Sequence, residues 1–151
     1  MKGRTYRYMT EEPLYPFGFG LSYTSYAYSN IKIDKESIKK GQSVKVSTTI
    51  TNTGKVGGEE VAQLYITDLK ASVATPIFSL KSMKRVKLAA GESKDVAFEV
   101  TPQMMELVTE TGDRVIEPGD FKVYISGSTP SELSSKLGAA LPVSKIFNVK
   151  Q

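Results

Sequence analysis

A chain of 151 residues, 40% of them hydrophobic, is long enough for one domain with a real core and too short for a comfortable pair. Without cysteine or histidine it has no disulfide, no thiolate zinc site, no cysteine nucleophile and no imidazole acid/base, which closes most of the enzyme menu. The net charge of +4 is carried by lysines spread along the chain, the pattern of a solvated surface; no recognition helix accompanies it, so no nucleic-acid partner is expected.

Lys2, Gly3, Arg4, Thr5 and Tyr6 offer no apolar core for a signal peptide, and nowhere do about 18 apolar residues run together, so neither an address nor a membrane partner is expected. Residues 1 to 23 lack periodic pattern and are dense in aromatics. Eight of the chain's fourteen Tyr and Phe residues fall in its first 28 positions, whereas a self-contained domain spreads them through its core. Pro13 and Pro16 favour extended backbone, and Gly18 and Gly20 permit angles that other residues avoid. The stretch from Pro13 to Tyr23 therefore reads as a strap lying against a surface, much of which belongs to another part of a larger protein. Tyr6, Tyr8, Leu14, Tyr15, Phe17, Phe19, Leu21 and Tyr23 are its candidate packing residues, with Gly18 and Gly20 setting its backbone.

From Thr24 onward the text changes to short β-type runs between turn residues. Tyr26, Tyr28, Ile31 and Ile33 shift parity midway, which predicts a bulge. Lys40, Gly41 and Gln42 form a turn, and Val44, Val46, Thr48 and Ile50 alternate with polar residues as in a half-buried strand. Asn52, Thr53, Gly54, Gly57 and Gly58 make a loop; Val61, Ala62, Leu64, Tyr65 and Ile66 are apolar on both faces, as in a central strand. Ile77 to Leu88 is less regular and reads as two short strands, with Lys81, Lys84, Arg85 and Lys87 on one solvated face. Val96, Phe98 and Val100 alternate cleanly, and Pro102 to Leu107 suits one helical turn. Thr111, Gly112 and Asp113 mark a hairpin tip, Phe121, Val123 and Ile125 a strand, 126–142 a surface loop with a turn of helix at Glu132 to Leu137, and Ile146, Phe147 and Val149 the last strand. Strands of this number and spacing predict an all-β, immunoglobulin or fibronectin type III-like antiparallel sandwich over 24–151, with the strap as 1–23.

The run Gly3 to Tyr8 followed by Pro13, Leu14, Tyr15, Pro16, Phe17, Gly18, Phe19, Gly20, Leu21, Ser22 and Tyr23 resembles the C-terminal part of glycoside hydrolase family three, the β-glucosidase and β-xylosidase family. Asn52, Thr53 and Gly54 with Gly57, Glu59 and Val61 extend it, as do Leu80, Lys84, Arg85, Val86 and Leu88; Gly91, Glu92 and Ser93; Glu117, Pro118, Gly119 and Phe121; and Ser126, Gly127 and Ser128. The chain departs from that family at Arg114 and Val115, where relatives often carry tryptophan, and in a longer loop from Thr129 to Pro142. The resemblance implies a fibronectin type III-like accessory domain, entered by the aromatic strap from an α/β domain. It places the family's nucleophile and acid/base carboxylate upstream, so this chain carries no catalytic residue. Its partners are then the parent hydrolase's catalytic domains, which it is expected to brace and toward whose active-site mouth a loop reaches in some relatives, or a second copy through the strap. Export to the periplasm or medium follows from the family, and Met1 is expected to be internal to a larger protein.

The residues themselves agree about catalysis. Glu59 and Glu60 are adjacent on a strand and point to opposite faces, so they cannot flank one glycosidic bond. Glu110 with Asp113 and Glu117 with Asp120 are turn residues. Gly18 and Gly20 lack the rest of a nucleotide fingerprint, and Asp68, Asp113 and Asp120 lack a ligand-dense loop, so no cofactor or metal is expected. Two other readings of the strap stand beside the brace: a free-standing carbohydrate-binding module stacking sugars on its aromatics, and an adhesive or protein-interaction sandwich. The first is weakened by the absence of tryptophan. Residues 1 to 12, flanked by charge and distant from the core, are expected to be mobile or held by a neighbouring molecule.

Overall fold

The computed structural model describes residues 5–151, the side chain of Tyr6 excepted. Strand alternation builds it. Along β3 (Val44–Asn52) Val44, Val46, Thr48, Ile50 and Asn52 are all buried, while the residues between them face outward. Antiparallel pairing with β1 (Tyr26–Ile33) on one side and β6 (Ser93–Val100) on the other makes a three-stranded sheet. The opposing sheet has five strands in the order β2 (Ser37–Lys39), β10 (Val143–Lys150), β9 (Gly119–Ser126), β4 (Gly58–Asp68), β5 (Ser79–Leu88). Its pairings are antiparallel except β2 with β10. Val46, Ile50 and Phe98 from one sheet meet Leu64, Ile66, Val123, Ile125 and Phe147 from the other in a single core, with Phe121 and Phe147 stacked at 5.7 Å. This is the all-β sandwich expected from the strand count.

Small elements close the ends. A helical turn α1 (Thr5–Tyr8) lies within the strap; α2 (Pro102–Met105) buries Met105 at the foot of the core; and β7 (Leu107–Val108) and β8 (Arg114–Val115) form the hairpin whose tip is Gly112. The parity shift in β1 is a bulge between Ser29 and Lys32, made possible by Asn30 at φ 54°.

Four expectations need correction. Residues 79–88 form one strand, because β4 offers a long edge on which the irregular stretch pairs throughout; the irregularity is a bulge, where pairing steps from Leu64↔Ser82 to Tyr65↔Leu80 and leaves Lys81 without a partner on β4. Nor do the basic residues share one solvated face. Lys81 is half-buried, and the Lys84 ammonium turns across the sandwich opening to lie 5.4 Å over the Phe98 ring and donate to the Ala97 carbonyl. Lys94 makes the converse crossing to the Lys87 carbonyl at 2.7 Å.

The segment 126–142 does contain the expected helix, α3 (Glu132–Lys136), capped by the Ser131 hydroxyl. Yet Ser126, Ser128, Thr129 and Ser134 are buried, since the strap passes against this loop and the polar side chains turn inward onto backbone carbonyls. Residues 5–12 lie on the sandwich instead of standing free: the Ile77 amide donates to the Arg7 carbonyl at 2.7 Å, and Glu12 faces Lys136 at 3.5 Å.

The turns at one end converge on Asn52, which is fully buried. Its Oδ1 accepts from the Thr24 hydroxyl at 2.5 Å and the Gly54 amide at 3.0 Å; its Nδ2 donates to the carbonyls of Val56 at 2.8 Å and Leu88 at 3.2 Å. The backbone joins in, with the Asn52 amide donating to Glu92 and its carbonyl accepting from Gly91. An amide side chain has two acceptor sites and two donor hydrogens, and all four are used. Asn52→Ala would strand several of these groups out of water, so it should lower stability by about 2–4 kcal/mol. Urea unfolding would register this as a lower midpoint with an unchanged slope; a loss within about 0.5 kcal/mol of zero would contradict the central role given to this residue.

Candidate functional site

The outer face of β4 is where the N-terminal segment attaches. A central strand with one face in the core needs cover for the other, and Gln63 and Tyr65 on that face are buried. Phe78 packs edge-on against Tyr65 at 6.5 Å and against Tyr124 at 5.4 Å, covering one part; the strap covers another. Pro16 is buried, and the Phe17 carbonyl accepts both the Thr129 amide at 2.9 Å and the Thr129 hydroxyl at 3.0 Å. The Phe19 amide closes a turn onto the Pro16 carbonyl at 3.1 Å, around Gly18 at φ 78°. The angle favours glycine at 18, and a Cβ there would stand 2.7 Å from the Gln63 Nε2 and push the end of that side chain aside. Gln63 in turn donates to the Gly127 carbonyl at 2.7 Å and accepts from the Tyr65 hydroxyl.

These bolts run through backbone, proline and buried polar groups, and they leave the strap's large side chains pointing away. Leu14, Tyr15, Leu21 and Tyr23 are exposed to 89%, 71%, 94% and 103% of their full extent, and Phe17 to about half. Tyr15 stacks on Phe19 at 6.0 Å, and Phe19 is half-buried. Leu137 and Leu141, beyond α3, are exposed as well.

Between strap and loop lies a groove of about 510 Å³ whose walls include Phe19, Tyr26, Glu60, Gln63 and Ala140. Glu60 accepts a hydrogen bond from the Tyr28 hydroxyl at 2.6 Å, and its Oε1 lies so close to Gly127 that a Cβ there would come within 2.2 Å. Burial holds the Glu60 carboxyl above its usual range, an effect partly offset by the Tyr28 hydrogen bond. Burial, followed by the charge of Glu60, raises the Tyr28 hydroxyl and keeps it a donor. Burial, followed by the charge of Glu60, raises the Tyr26 hydroxyl as well, and among the described residues this shielded group has no hydrogen-bond partner. Glu59 points the other way, to Arg85 at 3.0 Å. Among the described residues no group of three or more acidic, histidine or cysteine side chains is placed to hold a metal ion.

Compared with known proteins, residues 60–129 match the fibronectin type III-like domain family. The chain contains a fibronectin type III-like domain. The domain is 40% identical over 127 residues to a β-xylosidase of Formosa agariphila, covering 84% of this chain and 18% of that protein. It is 37% identical over 123 residues to the periplasmic β-glucosidase of Salmonella typhimurium, covering 80% of this chain and 16% of that protein. The structure of a Bifidobacterium adolescentis family three β-glucosidase superposes with a TM-score of 0.72 at 30% identity, over 88% of this chain and 18% of that one. The chain thus spans less than a fifth of the length of these relatives and corresponds to a small accessory part of larger glycoside hydrolases. No helix among the described residues is long and apolar enough to cross a membrane.

Of the packing residues named from the sequence, the domain brings Leu14, Tyr15, Phe17, Leu21 and Tyr23 to one exposed segment and sets Phe19 into the groove. Gly18 abuts Gln63, and Gly20 faces open space. Tyr8 lies apart, beside the guanidinium of Arg7 at 5.8 Å, and the side chain of Tyr6 is outside the described residues. Sequence reasoning did not single out Gln63, Glu60 and Thr129 as the groups that hold the strap and line the groove. The one signal for Gln63 was an amide inside an otherwise apolar run, Val61 to Ile66.

Gly18→Ala should loosen the strap without unfolding the sandwich. Hydrogen exchange at the Thr129 amide would accelerate at least tenfold while amides of β3 and β6 keep their protection; unchanged exchange at Thr129 would mean that Gln63 yields to the added methyl.

A carboxyl raised in the folded state binds its proton more tightly there than in the unfolded chain, so stability falls as pH climbs from the ordinary carboxylate value through the raised one. Glu60→Gln keeps an acceptor for Tyr28 and removes this penalty. The variant should be the more stable protein at pH 7 and lose its advantage below a pH of about 4, where Glu60 is protonated in both states. Urea midpoints across that range test it, and a variant less stable at pH 7 would show that the charged hydrogen bond outweighs desolvation.

Proposed function

We propose that this domain is the non-catalytic C-terminal accessory domain of a β-glucosidase- or β-xylosidase-type hydrolase, and that it braces the catalytic part. In this reading residues 1–23 are the strap that enters from a preceding α/β domain, and Tyr8, Leu14, Tyr15, Phe17, Leu21 and Tyr23 pack between domains. The observation that carries it is the mismatch between backbone and side chains: the strap is bolted down at Pro16 and Phe17, yet its largest apolar groups touch little of the sandwich. A contiguous apolar segment held rigid and left open has the character of an interface. Each such side chain contributes roughly 1.5–3 kcal/mol on burial, enough for a few of them to hold two domains together. Without the catalytic part, the same face is open to a second copy of the chain. Export of the parent is supported by the relative named periplasmic in Salmonella typhimurium.

The groove with Phe19, Glu60 and Gln63 gives the carbohydrate-binding reading its one specific support, and the same experiment separates the two. Leu21→Ser and Tyr23→Ser should change the stability of the isolated chain by no more than about 0.5 kcal/mol, because neither side chain is buried in it. In a longer protein that joins this chain to the catalytic part, the same pair should lower the thermal midpoint and the turnover of an aryl β-glucoside or β-xyloside. Calorimetry of the isolated chain with cellobiose and xylobiose should give no heat of binding. An equal effect of the pair in both proteins would count against the brace, as would sugar binding abolished by Phe19→Ala.

A further inference from the structure

At the opposite end of β4 from the Asn52 cluster lies a second cavity, of about 390 Å³, bounded by α1, the β5 bulge, the end of α2 and the β7–β8 hairpin. Its floor is apolar: Ile66, Met105, Leu107 and Phe121 are all buried. Its charged groups are Arg7, Lys81 and Arg114 against Asp68 and Glu106.

Lys81 is the unusual member. It is the residue that the bulge leaves without a partner on β4, and bulges re-aim side chains. It lines the cavity half-buried, and among the described residues its ammonium makes no hydrogen bond and no ion pair. Burial lowers it below the usual lysine range, and the charge of Arg7 lowers it further. The acids nearby do not relieve it. Glu106 attracts it from a distance but is itself drawn to Arg114 at 3.9 Å, and Asp68 spends an oxygen on the Lys70 amide. Burial also pushes the Asp68 carboxyl upward, which weakens its claim to be the missing counter-charge. Arg7 is held in place by its backbone, through the Ile77 amide, and its guanidinium rests beside the Tyr8 ring at 5.8 Å.

Three cations thus face two carboxylates over an apolar floor, leaving one positive charge in excess and, among the described residues, the Lys81 ammonium without an acceptor. A half-buried ammonium without an acceptor is costly unless an anion completes it. We infer that this cavity is a binding site for a small monocarboxylate with an apolar body, its carboxylate taken by Lys81, Arg7 and Arg114 and its body laid on Met105, Leu107 and Phe121. One surplus charge matches one carboxylate, and guanidinium forks suit its planar oxygens. The volume falls within the range of small-molecule sites.

The test is an amide-resolved NMR titration of the chain with sodium benzoate, with benzamide as the neutral isostere and sodium sulfate as a non-carboxylate anion, all at fixed ionic strength. Benzoate should give saturable shifts confined to residues 79–82, 105–108 and 114, with neither benzamide nor sulfate reproducing them. Lys81→Met keeps the length and apolar stem of the side chain and should weaken benzoate roughly tenfold or more. Arg114→Gln, at an exposed position where folding is not at risk, should weaken it less, and it decides the matter if Lys81→Met fails to fold. The inference is overturned if benzamide binds as well as benzoate, if sulfate shifts the same amides as strongly, if the shifts scatter over Lys84, Lys94 and Lys145, or if the folded Lys81 or Arg114 variants bind unchanged.

Discussion

One buried side-chain amide, that of Asn52, ties together parts of the chain that have no other reason to stay in register. It sits at the end of β3, receives Thr24, the first residue after the strap, shapes the following turn through Gly54 and Val56, and reaches the end of β5 through Leu88. Elsewhere the two sheets are joined mainly by apolar packing, which is strong but non-directional, with Tyr28 to Glu60, Lys84 to Ala97 and Lys94 to Lys87 as further polar links. Packing alone would tolerate small slides between the sheets, whereas four hydrogen bonds from one rigid amide do not. The position of the strap relative to β4 is therefore inherited from this end of the sandwich.

From that anchor the strap runs over β4, and the manner of its attachment decides what it offers to a partner. Had the aromatic side chains been the anchors, the segment would be consumed by its own domain. Instead the Phe17 carbonyl, the buried Pro16 ring and the space kept open at Gly18 carry the attachment. This division of labour leaves the side chains exposed above a backbone held at Pro16, Phe17 and Gly18. A preorganised apolar face loses little entropy on docking, which suits a domain that spans less than a fifth of the relatives it matches.

Charge is distributed with a similar economy. Lys84 and Lys94 cross the open side of the sandwich in opposite directions, each ending on a carbonyl of the other sheet's edge strand. Charged side chains over strand edges discourage pairing with other chains, so the two lysines stiffen the opening and protect it. Glu60 and Lys81 do the reverse, standing half-buried at opposite ends of the same region with their charges poorly compensated. Groups of that kind are retained where something other than stability is served.

Most of the architecture was legible in the chain itself. Alternation at Val44 to Ile50, at Val96 to Val100 and at Phe121 to Ile125 specifies half-buried strands, because a period of two has one physical solution, and the parity shift after Tyr28 marks a real bulge. The aromatic density of the first 28 residues likewise announced a segment with a surface still to meet. What the linear text could not carry is anything that depends on two distant residues occupying one place. Gln63 crowds Gly18 and bonds Gly127; Thr129 holds Phe17 from more than a hundred residues away; Lys81 is turned into a cavity by a bulge whose cause is the register of β4. The same holds for the loop 126–142, where composition said solvent and the strap's path said burial. Periodicity reports the local balance between backbone geometry and water, and so it survives without the fold. Partnership between polar groups is set by packing of whole sheets, and only the tertiary structure could decide it.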